Sequence, residues 1–393
     1  MNKHIKIWYI LFFLPITLFA QDEVDSVLML VEKNNTTLSA IQKSVEAEKI
    51  GNKTGIYLNN PEIGLNYLWS DPTSIGNRTD INIRQSFDFP TAYGIRKQIS
   101  ESRNTQAEID YQKQRKNILL DARLLCAEII YTNARIAELQ DRLIHAQQLS
   151  DAYQLMFDKG EVSILEYNKA QLNLLNIKKE LEGLKIEQNT YLKELSALNG
   201  GQPVALTGSK LSLPMLPADF DQWYSQVEQA NPGLLWLNQE IGISQQEAKL
   251  NRALSLPKAT AGYMSENRTG EHFQGITAGV SIPLWENKNT VKYAEAKTLA
   301  LNSVVSDYKL QFYSHLKIQF ERAVSLQNSV TEYRQSLQLY ENAELLKKAL
   351  DKGELSLLNY LLELSLAYST IDNFMKVENE LNKAVVILYQ YQY

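Results

Sequence analysis

The side chains that most often do chemistry in proteins are few in this chain and lie far apart. Its 393 residues include four histidines and one cysteine. No His-x-x-x-His pair occurs and no histidine neighbours the cysteine, so the spacing does not predict a metal site. Signatures of an exposed serine nucleophile, a phosphate loop or a dinucleotide fold are also missing. We therefore expect no catalytic residue, no metal site and no cofactor; the residues considered are His4, His145, His272, His315 and Cys126.

The charge balance and the lone cysteine exclude other classes. The chain carries 40 basic and 45 acidic residues, for a net charge of −5, and has no basic patch, so nucleic acid is not an expected partner. Cys126 lies in an apolar helical pattern and is expected to be a small buried hydrophobe rather than a reactive thiol. A single cysteine allows no intrachain disulfide.

The most informative pattern is a repeated decapeptide with a glycine and a serine at fixed places. The segment 158–167 reads DKGEVSILEY, and 193 residues later the segment 351–360 reads DKGELSLLNY, with seven of ten positions identical. A glycine with turn chemistry between long helical segments predicts a helix-to-helix turn. We expect Gly160 and Gly353 to allow the two turns, and Ser163 and Ser356 to cap the returning helices.

The duplication extends over most of the chain and defines its organisation. Pro61 aligns with Pro257 and Tyr67 with Tyr263 at an offset of 196, and Pro90 aligns with Pro283 at an offset of 193. These matches predict a first structural repeat at residues 21–201 and a second at residues 221–393. Residues 202–220 between them are rich in turn residues and are interpreted either as a linker or as a small ordered belt.

The N-terminus predicts export. Residues 1–20 contain Lys3 and Lys6, then an uncharged run from Ile7 to Phe19, which is typical of a cleaved signal peptide and too short to span a bilayer. No later stretch approaches the length of a transmembrane helix. Contact of the mature chain with a membrane must therefore involve β-strands.

Each repeat is predicted to contain a helix, a β-hairpin, a long helix, a tip and a returning helix. Apolar or small residues from Ile118 to Ala146 alternate at spacings of four and three, which is a coiled-coil seam. The seam continues after the first tip from Leu174 to Leu198, broken only by Gln188. No proline interrupts residues 91–157 or the matching residues 287–350, which predicts long struts.

The hairpins are expected at about residues 61–89 and 257–283. In the first hairpin, apolar residues alternate with polar ones such as Asp80 and Arg84 over about ten residues, which is the pattern of a transmembrane strand. The second hairpin is weaker, with a loop predicted from Glu266 to His272. Two half-buried soluble hairpins are the alternative interpretation. Four strands cannot close a barrel, so several copies must share one, and three copies give twelve strands.

This order of elements resembles the TolC-like outer membrane efflux protein family, and most closely its heavy-metal efflux branch. The resemblance covers the whole mature chain. It rests on the paired Gly-x-x-Ser tips and on four prolines at the helix–strand transitions: Pro61, Pro90, Pro257 and Pro283. It implies a mainly α fold with a transmembrane β-barrel, built from duplicated helix–β-hairpin–long helical hairpin units. Three chains would form a 12-stranded barrel continued by an α-helical periplasmic tunnel.

The resemblance also implies a function and partners. A family member is a passive exit duct in the outer membrane lipid, exporting metal ions or small toxic molecules. It is a homotrimer that docks a periplasmic adaptor and an inner-membrane pump, here through tips containing Gly160, Ser163, Gly353 and Ser356. The alternative is a non-channel periplasmic coiled-coil adaptor or scaffold, which the hairpins would distinguish from a channel.

The chain departs from the family where the tunnel closes. Many relatives carry acids after the tip glycines, whereas here the first tip has Glu166 but the second has Asn359, with Leu362 three residues later. An acidic ring is therefore not expected. Leu355, Leu362, Glu166 and Asn359 are the candidate gate, with leucines that close by dewetting and polar residues that form inter-helix hydrogen bonds. Alternatively, these leucines belong to a coiled-coil seam.

Overall fold

The computed structural model describes residues 19–339 and 343–392. The first half of the chain forms α1 (Phe19–Asn34), α2 (Thr36–Gly51), β1 (Glu62–Leu68), β2 (Arg78–Phe87), α3 (Pro90–Asp158) and α4 (Ile164–Leu198). The second half forms α5 (Phe220–Ala230), α6 (Pro232–Leu254), β3 (Lys258–Arg268), β4 (Glu271–Ser281), α7 (Thr290–Leu339), α8 (Ala343–Asp351) and α9 (Leu357–Leu388). The predicted signal peptide lies outside the described residues except for its last two, which begin α1.

The two halves show the same succession of elements, as the duplication predicts, except that α7 and α8 of the second half together correspond to α3 of the first. The structure differs from the prediction in one detail. Each half begins with two helices, whereas the sequence pattern predicts one. The break falls at Asn35 and at its counterpart Asn231. Asn231 is fully buried and caps α6, since its side chain accepts a hydrogen bond from the backbone N–H of Leu234. An asparagine cap followed by Pro232 ends one helix and begins the next.

The four strands form one antiparallel sheet in the order β1-β2-β3-β4. The predicted loop from Glu266 to His272 is wrong, because β3 and β4 continue to a turn of only Thr269 and Gly270. Gly270 has φ +80°, which suits a tight turn. The polar residues at these strand ends resembled a loop in sequence. Their partners lie across the sheet, where Glu266 stands opposite Asp80 and binds Arg78.

The chain divides into two compact units that each draw on both repeats. One contains the described residues up to Thr36, Arg115–Trp223 and those from His315 onward, and the other contains Thr37–Gln114 and Tyr224–Ser314. In the first unit, α1, α3 and α4 pack around Cys126, which is fully buried. Burial raises the pKa of the Cys126 thiol to about 12, and the prediction of a small buried residue is confirmed.

The helices follow the predicted seam. Helix α3 has 69 residues, which corresponds to about 100 Å at ~1.5 Å per residue. Along it Ile136 and Leu139 are buried against Ile177 and Leu181 of α4. Among the described residues, no helix is both long and apolar enough to cross a bilayer.

Residues 206–208 of the segment between the repeats are hydrogen-bonded to α1 and α3, which favours an ordered belt over a free linker. Where Gln188 breaks the seam, its side chain donates to Asn133 at 2.5 Å, and Asn133 in turn donates to the carbonyls of Leu206 and Gly208 at 3.0 and 2.9 Å. The carboxylate of Glu23 accepts the backbone N–H groups of residues 207 and 208. The polar break in the seam is therefore the anchor of this segment.

Candidate functional site: the sheet faces and the helical-hairpin tips

One face of the sheet is apolar and exposed. Ile63, Ile83, Tyr263 and Ile276 lie opposite one another in register and form a continuous row across all four strands. Ile63 is 75% exposed and Ile276 is 92% exposed. A row of exposed aliphatic side chains on a sheet is unfavourable in water and suits an apolar surrounding.

The other face is mostly polar and buries charge. Asp80 is only 5% exposed, and both of its carboxylate oxygens accept hydrogen bonds from the Arg78 guanidinium at 2.7 and 3.0 Å. Arg78 also lies 3.0 Å from Glu266. The polarity of the sheet is thus inverted relative to a sheet in a water-soluble protein.

Aromatic side chains lie near the strand ends, as expected for an interfacial girdle. Trp69 follows β1 and Trp285 follows β4, and they are 80% and 79% exposed. Tyr67 stacks edge-on against Trp69, and its hydroxyl accepts a hydrogen bond from Asn77 at 2.7 Å. An exposed ring with a hydrogen-bonded polar end suits a boundary between apolar and aqueous phases.

The four prolines lie at the boundaries of the sheet. Pro61 and Pro257 directly precede β1 and β3, Pro90 is the first residue of α3, and Pro283 follows β4 by two residues. Proline has no N–H to donate and therefore suits the point where one hydrogen-bonding pattern gives way to another.

The two tips are turns with the same local geometry. Gly160 and Gly353 have φ +75° and +72°, a left-handed conformation that favours glycine. Ser163 accepts the N–H of Glu166, and Ser356 accepts the N–H of Asn359, so both serines cap as predicted. In the first tip the Glu166 side chain also accepts the Ser163 N–H, completing a capping box.

The tips differ in what surrounds them. In the second tip Leu357 and Tyr360 are 2% and 1% exposed, packed among residues of α3, α4 and α9. The equivalent Ile164 of the first tip is 48% exposed, and Tyr167 stacks on Phe157 with ring centroids 5.3 Å apart. The second tip is therefore anchored by Leu357 and Tyr360, whereas the equivalent residues of the first tip are more exposed.

The candidate gate residues are not brought into one cluster within the chain. Leu362 is 55% exposed, whereas Leu355 packs against the buried cluster around Tyr360. Hydrogen bonds from the backbone and hydroxyl of Ser163 lower the pKa of Glu166, whose carboxylate is occupied in its own cap. The predicted inter-helix role of Glu166 is therefore not seen in the single chain.

Polar contacts of Arg142 and His145 on α3 with residues of α9 were missed from the sequence. Arg142 is 4% exposed in side chain and bonds Asp372 at 2.9 Å and Glu138 at 3.0 Å, with its guanidinium 4.2 Å from the Tyr368 ring centroid. His145, three residues on, lies 3.2 Å from the Tyr360 hydroxyl. Burial, with a contribution from Lys347, lowers the pKa of His145. Asp372 and Tyr360 lie more than 200 residues from Arg142 and His145 along the chain, so no local pattern marks these two contacts.

No group of three or more histidine, cysteine or acidic residues that could hold a metal ion occurs in the part of the chain that the structure describes.

The chain resembles solved outer membrane channels. The CmeC outer membrane channel of Campylobacter jejuni matches with a TM-score of 0.78 and 15% identity over 94% of this chain and 85% of that chain. CusC, solved in a study of its folding and transmembrane channel formation, matches at 0.80 and 14% over 95% and 92%. The MtrE outer membrane channel of Neisseria gonorrhoeae matches at 0.73 and 10% over 94% and 88%. At such identities the likeness is one of fold. No protein-family model and no curated protein matches the sequence.

The caps generate a first prediction. Ser163→Ala and Ser356→Ala should each destabilise the first turn of the following helix by about 1 kcal/mol. Hydrogen exchange should show faster exchange at the amides of Glu166 and Asn359, with the larger change in the first tip because its capping box is also lost. Ser365→Ala, at an exposed position within α9, is the control and should change neither amide. Unchanged protection at Glu166 in Ser163→Ala would contradict the assignment.

Proposed function

We propose that this chain, which has the fold of the TolC-like outer membrane efflux channels, is itself an outer membrane channel. The observation that carries the proposal is the inverted polarity of the four-stranded sheet. Ile276 is 92% exposed on one face while Asp80 is 5% exposed on the other. Lipid outside and water inside favour this arrangement.

The alternative of a periplasmic adaptor or scaffold explains the helices but not the sheet. Such a protein would be surrounded by water on all sides and would expose Ile63, Ile276 and Val280 to it, each at 70% or more. Exposing these side chains has a cost of about 1.5–3 kcal/mol each relative to burial. The sheet therefore favours a channel over a scaffold.

The sheet also supports assembly into a homotrimer. Strands β1 and β4 each have one neighbour, so each leaves a row of backbone N–H and C=O groups without a strand partner. Lipid cannot satisfy those groups, and pairing β4 of one copy with β1 of the next does so. Three copies give a closed barrel of twelve strands with the mostly polar face lining a water-filled lumen.

The tips are the proposed docking sites for a periplasmic adaptor and, through it, an inner-membrane pump. A Cβ added at Gly160 or Gly353 would meet no other atom within 4 Å, so the chain leaves open space beside each turn. Ile164 and Leu165 offer exposed apolar area at the first tip. The pump would supply the energy, and the channel would be a passive exit for metal ions or small toxic molecules. A cleaved signal peptide and a periplasmic helical extension complete the proposed outer membrane location.

We assign the resting gate to the exposed leucines of α9. Leu358, Leu362 and Leu366 are spaced by four residues, share one helix face and are 49%, 55% and 66% exposed. Three copies of such a stripe can form a narrow apolar ring that stops ions by dewetting. The other α9-side candidates do not belong to this stripe. Leu355 packs against buried residues of its own chain, and Asn359 lies one residue after Leu358. Leu362 is therefore the residue to test.

The membrane assignment is tested on adjacent residues of β4 that face opposite ways. Ile276→Lys should prevent recovery of trimers from the membrane fraction, since a lysine on the lipid face at mid-depth costs about 2–4 kcal/mol per chain. Thr277→Lys adds the same charge to the lumen face and should be tolerated. Native mass spectrometry of detergent extracts measures both. Equal yields of trimer from Ile276→Lys and Thr277→Lys would contradict the placement of the sheet in the membrane. A stable monomer of the natural chain would contradict it as well.

Docking is tested at the second tip. Gly353→Leu places a bulky side chain at a φ of +72° and should impair export while trimer formation and insertion persist. Lys352→Leu is the control, because it adds a side chain of similar size at the neighbouring exposed position. It separates the effect of turn geometry from the effect of side-chain size. Resistance of cells to a panel of toxic metals and drugs is the measurement. Normal resistance with Gly353→Leu would exclude this tip from docking.

The gate is tested by resting conductance in planar bilayers. Leu362→Ser should raise it because a hydroxyl favours water in a narrow apolar ring. Leu172→Ser is the matched control, at 57% exposure on α4 against 55% for Leu362, and should leave conductance unchanged. An unchanged value in a correctly assembled Leu362→Ser trimer would assign the leucine to a helix–helix seam.

A further inference from the structure

A belt of charged residues crosses the mostly polar face of the sheet at its loop end. Arg78 begins β2 and Arg268 ends β3, so both lie beside the inter-strand turns and away from the ends that lead into helices. In register, Arg78 stands opposite Arg268, and Asp80 stands opposite Glu266. Glu271 of β4 stands opposite Arg268. We call these five residues the mouth belt: Arg78, Asp80, Glu266, Arg268 and Glu271.

The belt is held by ion pairs across strands. Arg78 binds both oxygens of Asp80 and lies 3.0 Å from Glu266, so one guanidinium joins two carboxylates that face each other on neighbouring strands. Arg268 donates from Nε to the carbonyl of Ile75 in the β1–β2 loop at 3.4 Å. These contacts fix long charged side chains at one level of the sheet.

The mouth belt lies level with the edge of the apolar surface on the opposite face of the sheet. On the opposite face at this level the register row contains Tyr67, Thr79, Asn267 and His272, which replace the isoleucines found further along the strands. Polar residues on the outer face mark the level where lipid gives way to water. The belt therefore surrounds the mouth of the proposed lumen.

Further from the mouth, the same face includes glycines that lie under neighbouring side chains. A Cβ at Gly64 would lie 2.8 Å from the Asn82 side chain, and one at Gly279 would lie 2.7 Å from Thr260 Oγ1. Neighbouring side chains thus lie over these glycines. In register the belt contains no glycine.

The belt carries a net negative charge. Its two guanidinium groups and three carboxylates leave one negative charge per chain. The other charged strand residues on this face lie at its helix end, where Glu62 stands opposite Arg84 and Lys258 lies 3.1 Å from Glu286, a residue that follows β4. Fixed charge acts over about 10 Å at ~0.1 M salt, so a charged rim raises the local concentration of counter-ions.

We infer that the mouth belt makes the open channel selective for small cations over anions, with Arg78 and Arg268 limiting that selectivity. The inference rests on the proposed channel function, because it needs three copies that enclose a lumen. It predicts that anionic solutes are disfavoured at the mouth while the belt is intact.

The test measures reversal potential across a planar bilayer with a potassium chloride gradient. Glu266→Gln removes one negative charge per chain and should lower the cation-to-anion permeability ratio about threefold, from screened Coulomb interaction of three charges at ~10 Å. Arg268→Gln should raise the ratio by a similar factor and leaves the Asp80–Arg78–Glu266 contacts in place. Two opposite shifts from single charge removals exclude a general loss of folding as the cause.

Glu62→Gln is the matched control, because it removes the same charge at the helix end of the same face. It should shift the ratio by less than half as much as Glu266→Gln. An equal shift would assign selectivity to the whole face and overturn the role of the belt. Unchanged ratios in conducting Glu266→Gln and Arg268→Gln trimers would also overturn the inference while leaving the channel function standing. Absence of channels from the natural chain would instead contradict the proposed function.

Discussion

Backbone hydrogen bonding in an apolar surrounding is the constraint on which the sheet depends. Each of β1 and β4 has a strand neighbour on one side only, while Ile63 and Ile276 face outward. An apolar exterior makes lipid the favourable surrounding, and lipid makes an unpaired strand edge costly. The two features together support the proposed assembly of several copies, which neither would do alone. A soluble sheet with the same edges could leave them to water.

Polar contacts fix the position of the irregular segments, which lie outside the apolar seam between the helices. The seam of α3 and α4 is interrupted at Gln188, which binds Asn133 and so anchors the segment between the repeats. Asn231 has a comparable role at the joint between α5 and α6, where the Tyr308 hydroxyl lies 3.3 Å from its side-chain oxygen. In both places an amide side chain satisfies backbone groups that would otherwise lack partners.

Duplication supplied two equal tips, and packing made them different. Tyr360 is buried beside His145 and Leu357 is buried with it, while Tyr167 and Ile164 of the first tip remain more accessible. The local turn survives in both because Gly-x-x-Ser geometry depends on neighbours within a few residues. A docking partner would therefore meet two similar turns with different apolar surroundings.

The elements with a local cause can be predicted from the amino-acid sequence. Helical seams, alternating strands, the glycine turns, the capping serines and the two-fold repeat all follow from spacing over ten residues or fewer, or from direct comparison of the halves. The pattern predicts the weak second hairpin but not its tight turn, because Glu266 and Arg268 are typical of loops unless Arg78 and Asp80 lie beside them. Such pairings, including Arg142 with Asp372 and His145 with Tyr360, are visible only in the folded chain. A charge is acceptable in a strand or a core only when its partner is present, and these partners come from distant parts of the chain.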